Sequence, residues 1–423
     1  MRSILNSPAV SIVGRHNSGK TTLVERLIAC LTREGLDIGS IKHHGHAGFD
    51  IDIEGKDSYR HRAAGATETY IAAPGQVAMV STIDGEAECA DLVRRMPGHD
   101  LVIVEGYRNS GLPVIEIMRA ANPNDQQVAQ AFDEASRIGV PLSTDFVQVA
   151  RTRNRGVDEG WTVEEDLAEK GIVARTVAIA TDIPLAAQAA DRYGIPSFHI
   201  DDVEGIAAFL RTGFARPRLT VAIQAGGESK RMGQSKATVP FCGKPLITRM
   251  VSRLAPVADE MVITTNEPEN LQFLFDEFPF VPLRLVRDDF EQRGALPGLC
   301  TAFNAAANPM VAVVACDMIY ASAQLLAAEY QRLVDSGADA CVPCNTHGFE
   351  PFHAVYRRDA SLDAARRMVA NGQKRAQSMF DLLNVEQFSQ QDVLSAEPRG
   401  RCFMNANTPE ELSDAEQAVL RTR

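Results

Sequence analysis

A chain of 423 residues is too long for one ordinary hydrophobic core, so two domains are expected. Its 45% hydrophobic and 23% charged residues suit a soluble globular protein, while a net charge of −12 argues against broad binding to nucleic acid or a membrane surface. No apolar run is long enough to span a bilayer, residues 1–8 lack the apolar segment of a secretory signal, and the eight scattered cysteines read as reduced thiols of a cytoplasmic protein.

The first half alternates strand-like and helix-like stretches. Residues 10–13 read as a short buried strand, and 19–33 as a helix with Leu23, Leu27 and Leu31 on one face, stopped by Gly35. A strand follows at 38–41. Residues 69–72 and 77–80 suggest a hairpin around Pro74-Gly75. Residues 89–96 suit a helix, 101–104 a fully buried strand and 114–118 another. Residues 121–175, which hold the single tryptophan Trp161, are polar and weakly periodic. Apolar pattern resumes at 177–180 and 196–200, with a helix at 203–210.

Residues 212–218 carry Gly, Pro and charge without periodicity, which places a boundary there and predicts domains of about 1–213 and 219–423. Alternation restarts with strands at 219–223, 260–264, 283–286 and 311–315 and helices at 246–254, 298–307 and 324–336. No short-period repeat is visible.

Two phosphate-binding loops of different design follow strands. Gly14-Arg15-His16-Asn17-Ser18-Gly19-Lys20-Thr21 fits G-x-x-x-x-G-K-[ST]. Its glycines let backbone N–H groups wrap a β-phosphate at the positive end of the next helix. Gly14, Asn17, Gly19, Lys20, Thr21 and Thr22 are therefore candidate nucleotide ligands; Lys20 reaches the β- and γ-phosphates, and the Thr21 hydroxyl is a candidate Mg²⁺ ligand. The apolar run 101–104 closes on Glu105, which suits a Walker-B-like carboxylate near Mg²⁺ or its water. Lys42-His43-His44-Gly45-His46, with Asp50 and Asp52, fits a loop lining the nucleotide cleft better than a dedicated transition-metal site.

These residues carry a resemblance. The Gly14–Thr21 loop continued by Thr22-Leu23, then Ile41-Lys42-His43-His44, residues 55–66, Val104-Glu105-Gly106-Tyr107 and residues 195–203 resemble the molybdopterin-guanine dinucleotide biosynthesis adaptor family. The resemblance covers about 9–119 and 176–210. It implies a P-loop NTPase domain that binds GTP with weak or no hydrolysis, is usually dimeric and acts as a helper. Residues 121–175 depart from the family's compact form and read as a polar insert.

The second loop is Gln224-Ala225-Gly226-Gly227-Glu228-Ser229-Lys230-Arg231-Met232-Gly233-Gln234-Ser235-Lys236. Its small residues allow close backbone approach to a nucleotide, and Arg231 and Lys236 supply charge to a phosphoryl group in transfer. The apolar run 311–315 leads through Cys316 to Asp317, a candidate Mg²⁺ ligand, since Mg²⁺ favours few carboxylates plus substrate phosphates. Cys341 and Cys344 with His347 and His353 make only a weak zinc-like set, one C-x-x-C without a second clean pair.

This half resembles the molybdenum cofactor guanylyltransferase family, in the loop at 225–236, Gly243-Lys244-Pro245-Leu246, Asn266, Asp288, residues 294–299, Cys316-Asp317, residues 350–354 and 405–412. The resemblance implies an α/β, Rossmann-like nucleotidyltransferase domain. It assigns Ala225, Gly226, Gly227, Lys236, Asn266 and Asp288 to the guanine nucleotide and Asp317 to Mg²⁺. It also assigns Gly298, His353, Asn405 and Asn407 to the substrate or pterin side. Lys236, Arg231 and Asp317 would carry catalysis. Gln224, the order Gly294-Ala295-Leu296-Pro297-Gly298 and Ile319 depart from the family pattern, which bears on substrate preference more than on reaction type.

The implied activity is transfer of GMP from GTP to Mo-molybdopterin, with the first domain binding GTP and engaging apo-molybdoenzymes or their chaperones, and the resemblance implies a homodimer, without nucleic acid or membrane. Two alternatives stay open: a cytidylyl or other nucleotidyltransferase of the same fold, and a non-catalytic GTP-gated carrier of the cofactor.

Overall fold

The computed structural model describes residues 3–44, 53–139, 141–142, 172–226, 236–288, 294–346, 348–406 and 408–421. The chain divides into two compact units, Ser7–Arg216 and Pro217–Arg423, the latter joined by Met1–Asn6. Within that second unit the Ile4 amide donates to the Pro256 carbonyl.

The first unit runs β1 (Ala9–Gly14), α1 (Lys20–Arg33), β2 (Ile38–Lys42), α2 (Asp57–Ala63), β3 (Glu68–Ala73), β4 (Gln76–Ser81), α3 (Cys89–Arg94), β5 (Leu101–Glu105), β6 (Val114–Met118), α4 (Pro123–Ile138), β7 (Thr176–Thr181), α5 (Pro184–Arg192), β8 (Ser197–Phe198) and α6 (Val203–Gly213). Among the described residues its main sheet has the order β2-β5-β1-β6-β7-β8, all parallel. A parallel sheet needs cover on both faces, which is why β5 reads as an unbroken apolar run over 101–104 and β1 as an apolar run broken only by the buried Ser11. Val10 and Ile12 pack with Leu23 and Leu27 of α1 and Ile206 and Leu210 of α6. Ala9, Val102 and Val104 face the other way, with Cys89. β3 and β4 form the expected hairpin, antiparallel with Ala73 opposite Gln76.

The second unit runs β9 (Leu219–Gln224), β10 (Pro240–Phe241), β11 (Lys244–Pro245), α7 (Leu246–Leu254), β12 (Glu260–Thr264), α8 (Phe273–Glu277), β13 (Leu283–Val286), α9 (Ala295–Ala305), β14 (Met310–Ala315), α10 (Ala323–Ser336), β15 (Ala340–Asn345), β16 (Gly348–Phe349), β17 (His353–Arg357), α11 (Arg358–Ala370), β18 (Val385–Phe388), α12 (Gln390–Ala396) and α13 (Pro409–Leu420). Its large sheet has the order β13-β12-β9-β14-β17-β15-β16, with β18 on β15. β13, β12, β9 and β14 are parallel; β17 runs antiparallel to both neighbours. One core joins Val221 and Ile223 to Ile247, Val251 and Leu326, and another joins Ala222 and Val313 to Leu299, Phe303 and Ala365. Among the described residues no helix is long and apolar enough to cross a membrane.

The structure corrects the reading of 121–175 as weakly periodic throughout. Residues 123–138 form α4, started by Pro123 behind an Asn122 side chain that accepts from the Asn124 amide at 3.0 Å. Val128, Ala129 and Phe132 pack on Met118, Ile179 and Ala186. The polar residues on the other side of the helix dilute its apolar signal. α5, rich in alanine, likewise carries little helical signal in the sequence; its small side chains bury well but give weak periodicity. Trp161 and residues 143–171 lie outside the described residues.

Phe132 is fully buried and stacks on Tyr193 with ring centroids 5.2 Å apart. Phe132→Ala is expected to destabilise the first unit by about 3–5 kcal/mol in chemical unfolding, as a core truncation does; a cost near zero would show that α4 is not part of the core.

Candidate functional site

In the first unit the loop leaves β1 between its two parallel neighbours, β5 and β6. Gly14 ends the strand. Asn17 (φ 59°) and Gly19 (φ 85°) turn the chain into α1 through left-handed backbone, which Gly19 takes without strain. The Lys20 ammonium folds back onto the Gly14 and Arg15 carbonyls at 3.0 and 2.6 Å. Burial pulls it below its usual range, opposed by Glu105 and Glu116. Thr22 is exposed in the first turn of α1.

Register brings the candidate metal side together. Glu105 lies opposite Ile12, so its side chain reaches the mouth of the loop. The Thr21 hydroxyl donates to Glu105 at 2.8 Å. The Lys42 ammonium stands 3.0 Å from the same carboxylate oxygen and 3.3 Å from the hydroxyl. A cationic group thus already sits between two oxygen donors, and that donor set fits Mg²⁺, which takes one or two protein oxygens and leaves the rest to phosphates and water.

Sequence reading missed what braces this loop. Arg15 pairs with Asp125 of α4 at 3.0 Å, and Asp125 also accepts from the Arg119 amide at 2.9 Å. Arg108 forks onto Glu116 at 2.5 and 2.7 Å. Burial pushes Glu116 upward against the pull of Arg108. The signal was present, a glutamate inside the apolar strand β6, since a buried carboxylate needs a cation. His43 stacks on Tyr107 with centroids 4.3 Å apart and pairs with Glu86 at 2.5 Å. Gly106, at φ 94°, admits that ring; a Cβ there would lie 2.8 Å from the His43 Cβ. A cavity of about 550 Å³ is lined by Lys20, His43, Glu86, Tyr107 and Arg108. His46, Asp50 and Asp52 lie outside the described residues.

In the second unit the loop leaves β9, again between parallel neighbours, β12 and β14. The Ala225 amide donates to the Thr264 carbonyl at 2.8 Å, and the Asn266 side chain donates to the Gly226 carbonyl at 2.9 Å. Lys236 and Asp317 meet at 2.9 Å, each about one quarter exposed. A lone carboxylate facing an ammonium suits Mg²⁺ held mainly by substrate phosphates. Asp288 accepts from the Thr301 hydroxyl of α9 at 2.6 Å. Gly298 in α9 sits against Gln224: a Cβ there would approach the Gln224 Oε1 to 3.1 Å. Asn405 bridges Met318, and the Ala406 amide donates to the Asp317 carbonyl at 3.0 Å, so the Asn405 segment is tied to the Asp317 turn. Gly227, Arg231 and Asn407 lie outside the described residues.

His353 departs from the expected place beside the substrate groove. It is fully buried; its Nε2 accepts from the Ser322 amide at 3.2 Å and its Nδ1 lies 3.1 Å from Glu329. Neither ring nitrogen is left for a substrate, and the role fitted to this position is to hold the start of α10. Cys341 is fully buried in β15, and burial raises its thiol; His347 lies outside the described residues. Among the described residues no three His, Cys, Asp or Glu side chains converge on one metal position. Burial, then Asp317, pushes the Cys316 thiol up to about 12, which removes it as a nucleophile at neutral pH.

Comparison with known proteins gives two separate matches, each containing one of the two loops. Residues 9–137 match the family described as molybdopterin guanine dinucleotide synthesis protein B, and residues 221–390 match the MobA-like NTP transferase domain. The first match takes in α4 up to residue 137, so the likeness to the family extends past residue 119. A probable molybdenum cofactor guanylyltransferase of Carboxydothermus hydrogenoformans is 31% identical over 198 residues, 45% of this chain and 91% of the relative. A probable molybdopterin-guanine dinucleotide biosynthesis adapter protein of Bacillus subtilis is 31% identical over 127 residues, 30% of this chain and 72% of the relative. The crystal structure of molybdopterin-guanine dinucleotide biosynthesis protein A from Archaeoglobus fulgidus superposes with a TM-score of 0.42 at 24% identity, covering 48% of this chain and 99% of that one.

Burial raises the Glu329 carboxyl to about 7, opposed by His353, and its Oε2 has no hydrogen-bond partner. The native state therefore holds this proton more tightly than the unfolded chain does. Stability from this group is full below about 4.5 and falls as pH rises towards 7, by at most about 1.4 kcal/mol per pH unit. Unfolding curves of the second unit should show that decline, and Glu329→Gln should flatten it; an unchanged slope would place the titration elsewhere.

Proposed function

A chain that belongs to the molybdenum cofactor guanylyltransferase family through its C-terminal half, and to the molybdopterin-guanine dinucleotide biosynthesis adapter family through its N-terminal half, joins two nucleotide-handling domains, and we propose that the two serve one reaction. The C-terminal domain transfers GMP from GTP to the terminal phosphate of Mo-molybdopterin, forming the guanine dinucleotide and pyrophosphate. The N-terminal domain binds GTP and helps pass the cofactor to apo-molybdoenzymes or their chaperones. Fusion raises the effective concentration of one domain near the other, which suits an unstable intermediate.

The observation that carries this reading is the Lys236–Asp317 pair at the mouth of β9 and β14. The acceptor phosphate attacks the α-phosphorus of GTP in line; the new P–O bond forms as the α–β bridge breaks and pyrophosphate leaves. The attacking group is already an anion, so no side-chain nucleophile or base is required. Positioning and charge carry the rate. Lys236 steadies the negative charge on the transferring and leaving phosphates. Ala225, Gly226, Asn266 and Asp288 hold the nucleotide, with Gly298 keeping α9 close to β9. Asn405, tied to the Asp317 turn, faces the acceptor. Mg²⁺, held by Asp317, supplies charge neutralisation when bound. In the first domain Lys20, Thr21 and Glu105 hold the GTP phosphates and their Mg²⁺.

The deciding experiment is mass analysis of products after mixing the protein with Mo-molybdopterin, Mg²⁺ and each nucleoside triphosphate in turn. Guanine dinucleotide with GTP alone is the expected result. A cytosine dinucleotide would keep the mechanism and change the base, and no dinucleotide with any of them would favour the carrier. Asp317→Ala should lower the transfer rate about 10²–10³-fold while sparing GTP binding at the first loop. Lys20→Ala should do the reverse, and loss of both activities from either substitution in a folded chain would sink the two-site division.

A further inference from the structure

The second unit carries a cationic cavity that the transfer reaction does not use. It has a volume of about 680 Å³ and is lined by Arg249, Arg253, Tyr320, Glu397, Arg399 and Arg401 among others. That volume lies within the range of small-ligand sites. Arg249 and Arg253 come from one side of α7 at i and i+4 spacing, and Arg399 and Arg401 from the turn that follows α12. Four guanidinium groups face one carboxylate. Glu397 is itself engaged, accepting from the Ser322 hydroxyl at 2.9 Å.

The arginines differ in how far they are satisfied. Arg253 donates to the Ala321 and Tyr320 carbonyls at 3.0 and 3.4 Å. Arg249 lies over the Phe241 ring at 5.1 Å, and its Nε is buried without a hydrogen-bond partner. Burial and the neighbouring Arg249 and Arg399 hold the Arg253 guanidinium below its usual range, the mark of cations crowded together. Such a cluster costs free energy unless an anion joins it. Guanidinium groups match phosphate oxygens two at a time.

We propose that this cavity is a binding site for a compact anion carrying two or more phosphate groups, separate from both nucleotide loops. The excess of about three positive charges, from four arginines and one glutamate, matches a di- or triphosphate better than a single phosphate. The site is mechanically joined to the catalytic strand end. Tyr320, held by Arg253, lies three residues after Asp317, and Cys402, also in the lining, lies three before Asn405. The inference does not rest on the identity of the acceptor in the transfer reaction.

The test uses the full chain carrying K20A and K236A, which weakens phosphate binding at both loops. Titration calorimetry with tripolyphosphate should show one binding event, tighter than with sulfate and weakening steeply with salt. Adding R399Q and R401Q should weaken it about tenfold or more, and these side chains are exposed, so the melting temperature should hold. R249Q, in a second variant, should weaken it as well. Equal affinity for pyrophosphate and for GTP would mark a site for the bare oligophosphate, and tighter binding of GTP one for a nucleotide; both outcomes support the site. No binding in the K20A/K236A chain, or binding that survives the R399Q/R401Q substitutions, would overturn it.

Discussion

Each unit depends on the same constraint: a phosphate-binding loop leaves the carboxyl end of a strand that has a parallel neighbour on either side. β1 sits between β5 and β6, and β9 between β12 and β14. Parallel strands end at the same edge of a sheet, so whatever follows the neighbours arrives beside the loop. Glu105 arrives that way at the first loop, and Asp317 at the second. The apolar runs that fill the sheets thus also decide where the carboxylates stand.

Both sites answer the resulting negative charge with a lysine. Lys42 lies against Glu105 and Thr21, and Lys236 against Asp317. An ammonium beside a carboxylate marks a point where a cation is welcome.

Away from the mouths, buried polar pairs hold the machinery still. Arg15 of the first loop is anchored by Asp125, and the fork of Arg108 on Glu116 sits beneath it. In the second unit His353 of β17 holds α10 to the sheet at two points, Ser322 before its first turn and Glu329 midway along it. Breaking such a pair leaves a buried charge or donor alone, which costs more than the pair contributes. These residues look chemical in a sequence, yet their partners are protein groups. The arginines around the α7 cavity are the opposite case: each reads as an ordinary surface residue, and only their convergence is informative.

The sequence by itself determined the two loops, the strands that precede them and the acids that close the neighbouring strands, because these are local patterns: a glycine-rich turn, an apolar run, a terminal carboxylate. It also made the hairpin at Pro74-Gly75 legible through turn chemistry. It did not determine α4, whose apolar face is three residues wide in a polar segment, nor α5, whose alanines bury without marking a period. It did not separate His353 from the substrate groove or bring Lys42 to Glu105. Nor did it attach Met1–Asn6 to the second unit, 210 residues away in the chain. Those outcomes rest on which residues meet after the sheets assemble, and burial, charge pairing and register across strands exist only once distant segments are packed together.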